Sequence, residues 1–173
     1  MKLLTLIRHA KACPPTPDQP ADLLRPLSDR GLRDAALIGQ YLKSAFPVPP
    51  DTLLLSPSAR TRRTASLIAQ QAGLPDALLH EEPLLYEAPL SQLLAVLHAL
   101  PSSVHHAACV GHNPGTQSLA NWLCGRQAFP RFRTGAAAIF QLPVDSWDNV
   151  QSGDAVLLAQ VHPSLIGGGR QAP

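Results

Sequence analysis

Short apolar segments alternate along this chain with longer segments of helical periodicity. Residues 3–7, 52–55 and 107–110 form apolar runs that end at polar residues, as expected of buried strands, and residues 136–140 and 155–161 are predicted to be further strands. The intervening segments place apolar side chains three or four residues apart, as on the buried face of a helix. The alternation predicts an α/β fold, a three-layer α/β/α sandwich in which helices cover both faces of a mostly parallel central sheet.

The predicted helices begin at residues that can cap them. Ser28 and Ser58 precede the first two helical patterns, and each can accept a hydrogen bond from a backbone N–H of the first turn. A third helix is expected to begin near Ser91. A fourth is expected to take Asn113 as its cap and Pro114 as its first helical residue.

The length of 173 residues suits one domain with a sizeable core. We expect this domain to cover residues 1–166, and we expect residues 167–173, which begin with three glycines, to form a flexible C-terminal tail. Hydrophobic residues make up 45% of the chain, enough to offset the ordering entropy of a folded domain. The oligomeric state is left open by the sequence.

Charge and hydropathy exclude several classes of partner. The net charge is only +2, with acidic and basic residues interspersed, so no nucleic-acid partner is expected. Polar residues interrupt the N-terminal apolar run at Arg8, and no stretch approaches the roughly 18 apolar residues of a membrane span. The three cysteines have no disulfide-framework or zinc spacing, so a cytoplasmic location is expected.

Three polar clusters follow predicted strands. Arg8 and His9 follow the first strand, Arg60 lies one turn into the helix after the second, and His112 lies between a later strand and its helix. The carboxyl ends of parallel strands meet at one sheet edge, where helix N-termini also favour anions. Two guanidiniums and two imidazoles at this edge predict a site for a doubly charged tetrahedral anion, a phosphoryl group.

The same clusters lie in recognisable motifs. Residues 6–10, with the sequence LIRHA, resemble the RHG signature of the histidine phosphatase superfamily, which includes the phosphoglycerate mutases; Ala10 replaces the usual glycine. Residues 55–65, LSPSARTRRTA, are similar to the superfamily's S-P-x-x-R-A-x-x-T-A segment, and residues 110–114, VGHNP, are similar to its second-histidine motif. Residues 22–31, DLLRPLSDRG, and the short length resemble the SixA-type phosphohistidine phosphatases.

This resemblance implies a phosphoglycerate mutase-like fold and a hydrolase without metal or cofactor. In that scheme His9 is the nucleophile and forms a covalent phosphohistidine, while Arg8, Arg60 and His112 hold the phosphoryl group. We expect the two cationic arginines to keep His9 neutral near pH 7. Ala10 is expected to alter the loop packing slightly without abolishing activity.

The identity of the general acid and the identity of the substrate are linked, because a poor leaving group needs an acid to protonate it. Many superfamily members supply a glutamate before the third helix, and Glu87 is the best candidate here, with Glu81 and Glu82 also close. If no acid acts, substrates with good leaving groups are favoured. The resemblance to the SixA type implies a protein phosphohistidine as the substrate, and phosphohistidine is one of the substrates with a good leaving group. The alternatives are a small phosphorylated metabolite hydrolysed by the same mechanism, or a phosphate-binding module without turnover.

Two other groups of polar residues allow a different interpretation. His105 and His106 together with His112 could be metal ligands, but no carboxylate or cysteine accompanies them at a zinc spacing. Asp22 and Arg25 are interpreted as an ion pair that shapes the proline-rich loop, in preference to direct substrate contacts.

Overall fold

The computed structural model describes residues 1–18 and 21–167, and the fold is given for these residues. A six-stranded sheet lies at its centre. The strands are β1 (Lys2–Arg8), β2 (Thr52–Leu55), β3 (Leu79–Glu81), β4 (His106–Gly111), β5 (Ala137–Leu142) and β6 (Val156–Val161). Apart from Gly167, the predicted C-terminal tail lies outside the described residues, so its conformation stays a prediction.

The strand order is β3-β2-β4-β1-β5-β6. The pairs β2–β3, β2–β4 and β1–β4 are parallel, whereas β5 runs antiparallel to both β1 and β6. The expected mostly parallel sheet is confirmed. The edge strand β3 was not predicted, because its residues Leu79, His80 and Glu81 show no apolar run.

Helices cover both faces of the sheet. They are α1 (Asp29–Ala45), α2 (Ala59–Ala72), α3 (Leu90–His98), α4 (Gly115–Cys124) and the short α5 (Pro163–Ile166). None of the helices in the described part of the chain has both the length and the apolar character needed to cross a membrane.

Two separate cores join the layers. On one face, Ile38 of α1 and Ile68 of α2 pack with Ile7 of β1. On the other, Leu93 of α3 and Leu119 of α4 pack with sheet residues that include Leu4 and Leu6. Successive side chains of a strand point to opposite faces, so β1 contributes to both cores. The predicted three-layer sandwich is confirmed.

Two of the three predicted helix caps are confirmed, and the predicted start of the third helix near Ser91 is also confirmed. The hydroxyls of Ser28 and Ser58 accept hydrogen bonds from backbone N–H groups in the first turns of α1 and α2. The third helix begins at Leu90, one residue before the expected Ser91. The fourth begins at Gly115 with Pro114 as its cap; the Asn113 side chain instead donates to the carbonyl of Phe132 at 2.9 Å.

Candidate active site

The pairing of β1 with β4 determines where the two predicted site histidines lie. Arg8 ends β1 opposite Gly111, which ends β4, and the His9 N–H donates to the Gly111 carbonyl at 3.1 Å. His9 and His112 directly follow these two strands, and their ring centroids are 5.3 Å apart. Both are buried, with exposed fractions of 7% and 5%. The sheet edge thus brings together two imidazoles from distant parts of the sequence.

Arg60 reaches this histidine pair from the first turn of α2. Its side chain is 2% exposed, and its Nη2 lies 3.3 Å from Nδ1 of His112. Arg8 is half-buried and donates from Nη1 to the Phe132 carbonyl at 3.0 Å. Among the described residues, the Nε of each of these two arginines is buried and has no hydrogen-bond partner. The structure therefore places all four residues of the predicted phosphoryl site within one cluster.

The hydrogen bonds of His9 assign its tautomer. Its Nδ1 lies 2.8 Å from the Ala10 carbonyl, which can only accept, so Nδ1 carries the proton and donates. The lone pair then resides on Nε2, where a neutral imidazole is nucleophilic.

Ala10 itself is fully buried. Its N–H donates to the Thr64 hydroxyl at 3.0 Å, and its methyl group packs in a small cluster with Leu27, Ala35 and Leu67. The alanine that replaces the motif glycine is therefore accommodated beneath the loop, where α1 and α2 meet.

His112 is held by two neighbours. An arginine N–H can only donate, so the 3.3 Å contact with Arg60 makes His112 Nδ1 the acceptor. The proton then lies on Nε2, which donates to the Ser56 hydroxyl at 2.7 Å. The sequence interpretation missed Ser56 as a site residue, although its place at the start of the S-P-S-A-R segment was an available signal.

Burial keeps both imidazoles neutral. It lowers the pKa of His9 to about 3 and that of His112 to about 4, since the charged form is poorly solvated in the pocket. For His112 the cation of Arg60 is the next largest cause, and Arg8 and Arg60 make smaller contributions at His9. The expectation that the arginines themselves keep His9 neutral therefore needs correction: they assist, but desolvation is the larger cause.

Asp22 ties the proline-rich loop to this cluster. Its carboxylate accepts from Arg60 Nη2 at 2.9 Å and from the Tyr86 hydroxyl at 2.7 Å, and its carbonyl accepts from Arg60 Nη1 at 2.9 Å. The expected ion pair with Arg25 is also present, at 3.2 Å. The Tyr86 hydrogen bond, followed by the one from Arg60, lowers the pKa of Asp22. Asp22 therefore shapes the loop and also orients Arg60, a contact that the sequence interpretation missed.

The three candidate acids differ in position. Glu87 Oε1 lies 4.0 Å from Arg60 Nη2, and its side chain is 62% exposed. Glu81 pairs with Arg62 at 2.6 Å, and Glu82 accepts from the Leu84 N–H at 3.0 Å. Of the three, Glu87 is the one that contacts a predicted phosphoryl-binding residue.

The alternative metal site of the sequence analysis is not seen in the described part of the chain. No group of three or more histidine, cysteine, aspartate or glutamate side chains lies close enough there to hold an ion. His106, one of the alternative ligands, is buried instead between the Thr5 hydroxyl, at 2.9 Å, and the Val48 carbonyl, at 2.7 Å.

The chain is similar in sequence to known proteins. The family model described as the histidine phosphatase superfamily (branch 1) matches residues 4–94. An uncharacterized protein of Mycobacterium tuberculosis is 30% identical over 161 residues, which cover 88% of this chain and 96% of that protein. An uncharacterized chloroplastic protein of Arabidopsis thaliana is 33% identical over 133 residues, which cover 72% of this chain and 59% of that protein.

Solved structures extend the similarity to nearly the whole fold. The SixA protein of Nakamurella multipartitia superposes with a TM-score of 0.78 at 25% identity, covering 94% of this chain and 96% of its own. A protein histidine phosphatase SixA complexed with tungstate gives a TM-score of 0.77 at 25% identity, with 94% and 98% covered. A mycobacterial glucosyl-3-phosphoglycerate phosphatase shares the fold at a TM-score of 0.66 and 14% identity, with 90% and 96% covered.

The buried neutral histidines predict a pH-dependent stability. The unfolded chain takes up protons at histidine near pH 6.5, whereas folded His9 takes one up only near its pKa of about 3. The unfolded state thus binds more protons between these values, and the free energy of unfolding should fall as the pH drops below 6.5. The limiting slope for one such group is about 1.4 kcal/mol per pH unit.

Urea unfolding of the wild type and of His9→Asn between pH 7 and pH 4.5 tests this expectation. The variant should lose stability less steeply on acidification, and a variant of the exposed His80, His80→Asn, should follow the wild type. Parallel curves for the wild type and His9→Asn would contradict the assigned effect of burial.

Proposed function

The chain belongs to the histidine phosphatase superfamily and is of the SixA type, and from this premise we propose that it hydrolyses protein phosphohistidine through a covalent phospho-His9 intermediate. The phosphoryl group is held by Arg8, Arg60 and His112. No metal or cofactor takes part in the proposed reaction. A cytoplasmic location, expected from the cysteine spacing, belongs to the same proposal.

The observation that carries the proposal is the state of His9. Its Nδ1 proton is engaged by the Ala10 carbonyl, its pKa is far below neutrality, and it lies beside His112 in a cluster with two arginines. A histidine in this state offers an unprotonated Nε2 at pH 7.

The proposed reaction has two displacements at phosphorus. In the first, the Nε2 lone pair of His9 forms a bond to phosphorus while the bond to the substrate's leaving nitrogen breaks. The electron pair stays on that nitrogen, and the substrate ring leaves as neutral imidazole because its other nitrogen has taken a proton from solvent. In the second, a water oxygen attacks phospho-His9, the water proton passes to solvent and the N–P bond breaks to return His9 and release phosphate. During both steps charge on the phosphoryl oxygens is stabilised by the arginines and by His112, which donates from Nδ1 when the Ser56 hydroxyl in turn donates to Nε2. The loss of one such donor typically costs about 3–4 kcal/mol.

The carboxylates around the site favour a substrate whose leaving group does not need protonation by a general acid. Asp22 has a lowered pKa, so it is ionised at neutral pH and has no proton to give. Glu87 is largely solvent-exposed. Imidazole is a weakly basic leaving group, with a conjugate-acid pKa of about 6.5, whereas an alkoxide must be protonated as it departs. This difference supports phosphohistidine over an alkyl phosphate.

A small-metabolite phosphomonoesterase is the second candidate. The glucosyl-3-phosphoglycerate phosphatase shares only the fold with this chain, but Glu87 lies near enough to Arg60 to serve as an acid for such a substrate. A phosphate-binding module without turnover is the third candidate. The presence of a neutral His9 at the centre of the cluster speaks against it.

Replacement of the nucleophile tests the proposed mechanism. His9→Ala should lower para-nitrophenyl phosphate hydrolysis by at least about 10³-fold, since water must then attack without the covalent step. His80→Ala removes an exposed histidine and should keep wild-type activity. Equal rates for wild type and His9→Ala would eliminate His9 as the nucleophile, and a wild type without activity would favour the binding module.

Replacement of Glu87 tests the substrate class. Glu87→Gln should leave the hydrolysis of a phosphohistidine peptide within about twofold of wild type, while any turnover of glycerol phosphate should fall by about 10²-fold. Glu81→Gln is the matched control, because Glu81 pairs with Arg62 instead. If glycerol phosphate turnover survives unchanged in Glu87→Gln, Glu87 is not the acid. If glycerol phosphate is the better wild-type substrate, the metabolite phosphatase is the correct alternative.

A further inference from the structure

A basic groove adjoins the active site on the side of Arg8. It has a volume of about 250 Å³, and it opens between the end of β1, the start of α1, the segment before β5 and the start of α5. Five cationic side chains and one carboxylate are among its lining residues: Arg8, Lys11, Arg30, Arg131, Arg133 and Asp34. The single carboxylate, Asp34, pairs with Arg30 at 3.4 Å.

This concentration of charge is not a property of the whole chain. The protein has 14 basic and 12 acidic residues, which nearly balance. The groove gathers five of the basic residues against one acidic residue. Within the described part of the chain, Lys11, Arg131 and Arg133 form no ion pair. Their charges are therefore available to an external anion.

The segment that carries Arg131 and Arg133 is fixed to the active site. Phe132 lies between them and is only 1% exposed, while both arginines are exposed. Its carbonyl accepts from Arg8 Nη1 at 3.0 Å, and the Gly135 N–H donates to the Arg8 carbonyl at 3.2 Å. The two arginines are thus held on either side of a residue that contacts a predicted phosphoryl-binding group.

The groove continues beyond this segment. Arg131, Arg133 and His162 also line a second opening of about 300 Å³, together with the side chains of Phe129 and Leu165. Leu165 is 64% exposed. A cationic and partly apolar surface therefore leads away from Arg8.

We propose that this groove is a docking surface for acidic residues that flank the phosphohistidine of a protein substrate. The inference rests on the proposed function and deepens it by naming what the substrate must carry. The active site would take the phosphoryl group, and Lys11, Arg131 and Arg133 would bind aspartate and glutamate side chains next to it. Charge complementarity of this kind raises the association rate and selects among partners.

The form of the groove favours a protein segment over the second acidic group of a small metabolite. A small dianion is best held by buried donors that converge on one point. Here the unpaired cations are exposed on the rim, and they continue into a second opening with an exposed leucine. Exposed charges that are spread over a surface suit an extended acidic partner, because they steer its approach and then form several weak contacts with it.

Two synthetic phosphohistidine peptides test the docking surface, one with aspartate and glutamate beside the phosphohistidine and one with serine and asparagine in the same places. The wild type should have a kcat/KM about tenfold higher for the acidic peptide at low salt, and 0.5 M NaCl should reduce the difference. The double variant Arg131→Gln with Arg133→Gln should lower the kcat/KM for the acidic peptide to the value for the neutral peptide. Hydrolysis of para-nitrophenyl phosphate should not change.

A matched double variant distinguishes an effect of the charges in the groove from an effect of the protein's net charge. Lys43→Gln with Arg126→Gln removes the same net charge at two exposed positions, one in the last turn of α1 and one just after α4, that do not line either opening. It should keep the wild-type preference for the acidic peptide. The surface would be refuted by equal kcat/KM for both peptides in the wild type, or by equal losses in the two double variants. A rise of the KM for para-nitrophenyl phosphate in Arg131→Gln with Arg133→Gln would also refute it, since the arginines would then bind the phosphoryl group itself.

These outcomes are distinct from failure of the proposed function. A wild type that hydrolyses para-nitrophenyl phosphate but neither peptide would refute the phosphohistidine substrate. A wild type that hydrolyses both peptides equally well would retain that substrate and refute only the docking surface.

Discussion

The parallel pairing of β1 with β4 is the constraint on which the site depends. Because Arg8 pairs with Gly111 in register, the residues that follow, His9 and His112, leave the sheet side by side. The buried Arg60 then enters from α2, whose N-terminus faces the same edge. A shift of this register by one residue would turn the side chains of the strand to the opposite face and separate the cluster. Sheet geometry and chemistry are thus set by the same hydrogen bonds.

Burial gives this cluster its chemical character. A histidine at the surface would be partly protonated near neutral pH, whereas desolvation lowers the pKa values of His9 and His112 to about 3 and 4. The cost of burying the charged Arg60 is offset by hydrogen bonds from its guanidinium to Asp22 and by the contact with His112. The pocket therefore combines neutral nitrogen lone pairs with fixed positive charge, the combination that attack on a phosphoryl dianion requires.

The sequence predicts those parts of the molecule that depend on local pattern. Apolar runs and capping serines identify β1, β2 and β4 and the first two helices, and the three motifs name the residues that meet at the sheet edge. Features that arise from tertiary contacts were missed. Asp22 lies 38 positions from Arg60, in a loop without periodicity, and its contact with Arg60 exists only in the folded chain. The basic groove joins Lys11 to Arg131 and Arg133, which no spacing in the sequence relates. The cause of the lowered histidine pKa values was also misjudged, because charge can be read from residue types but the depth of burial cannot.

In the proposed mechanism, His9 Nε2 faces the phosphorus atom while Arg8, Arg60 and His112 contact the phosphoryl oxygens. A crystal structure with orthovanadate, which mimics the five-coordinate phosphorus of the transition state, tests this most directly. We expect vanadium within bonding distance of His9 Nε2, with its equatorial oxygens bound by the two guanidiniums and the second imidazole. Vanadate bonded to a different side chain, or held in the pocket with His9 turned away from it, would contradict this mechanism.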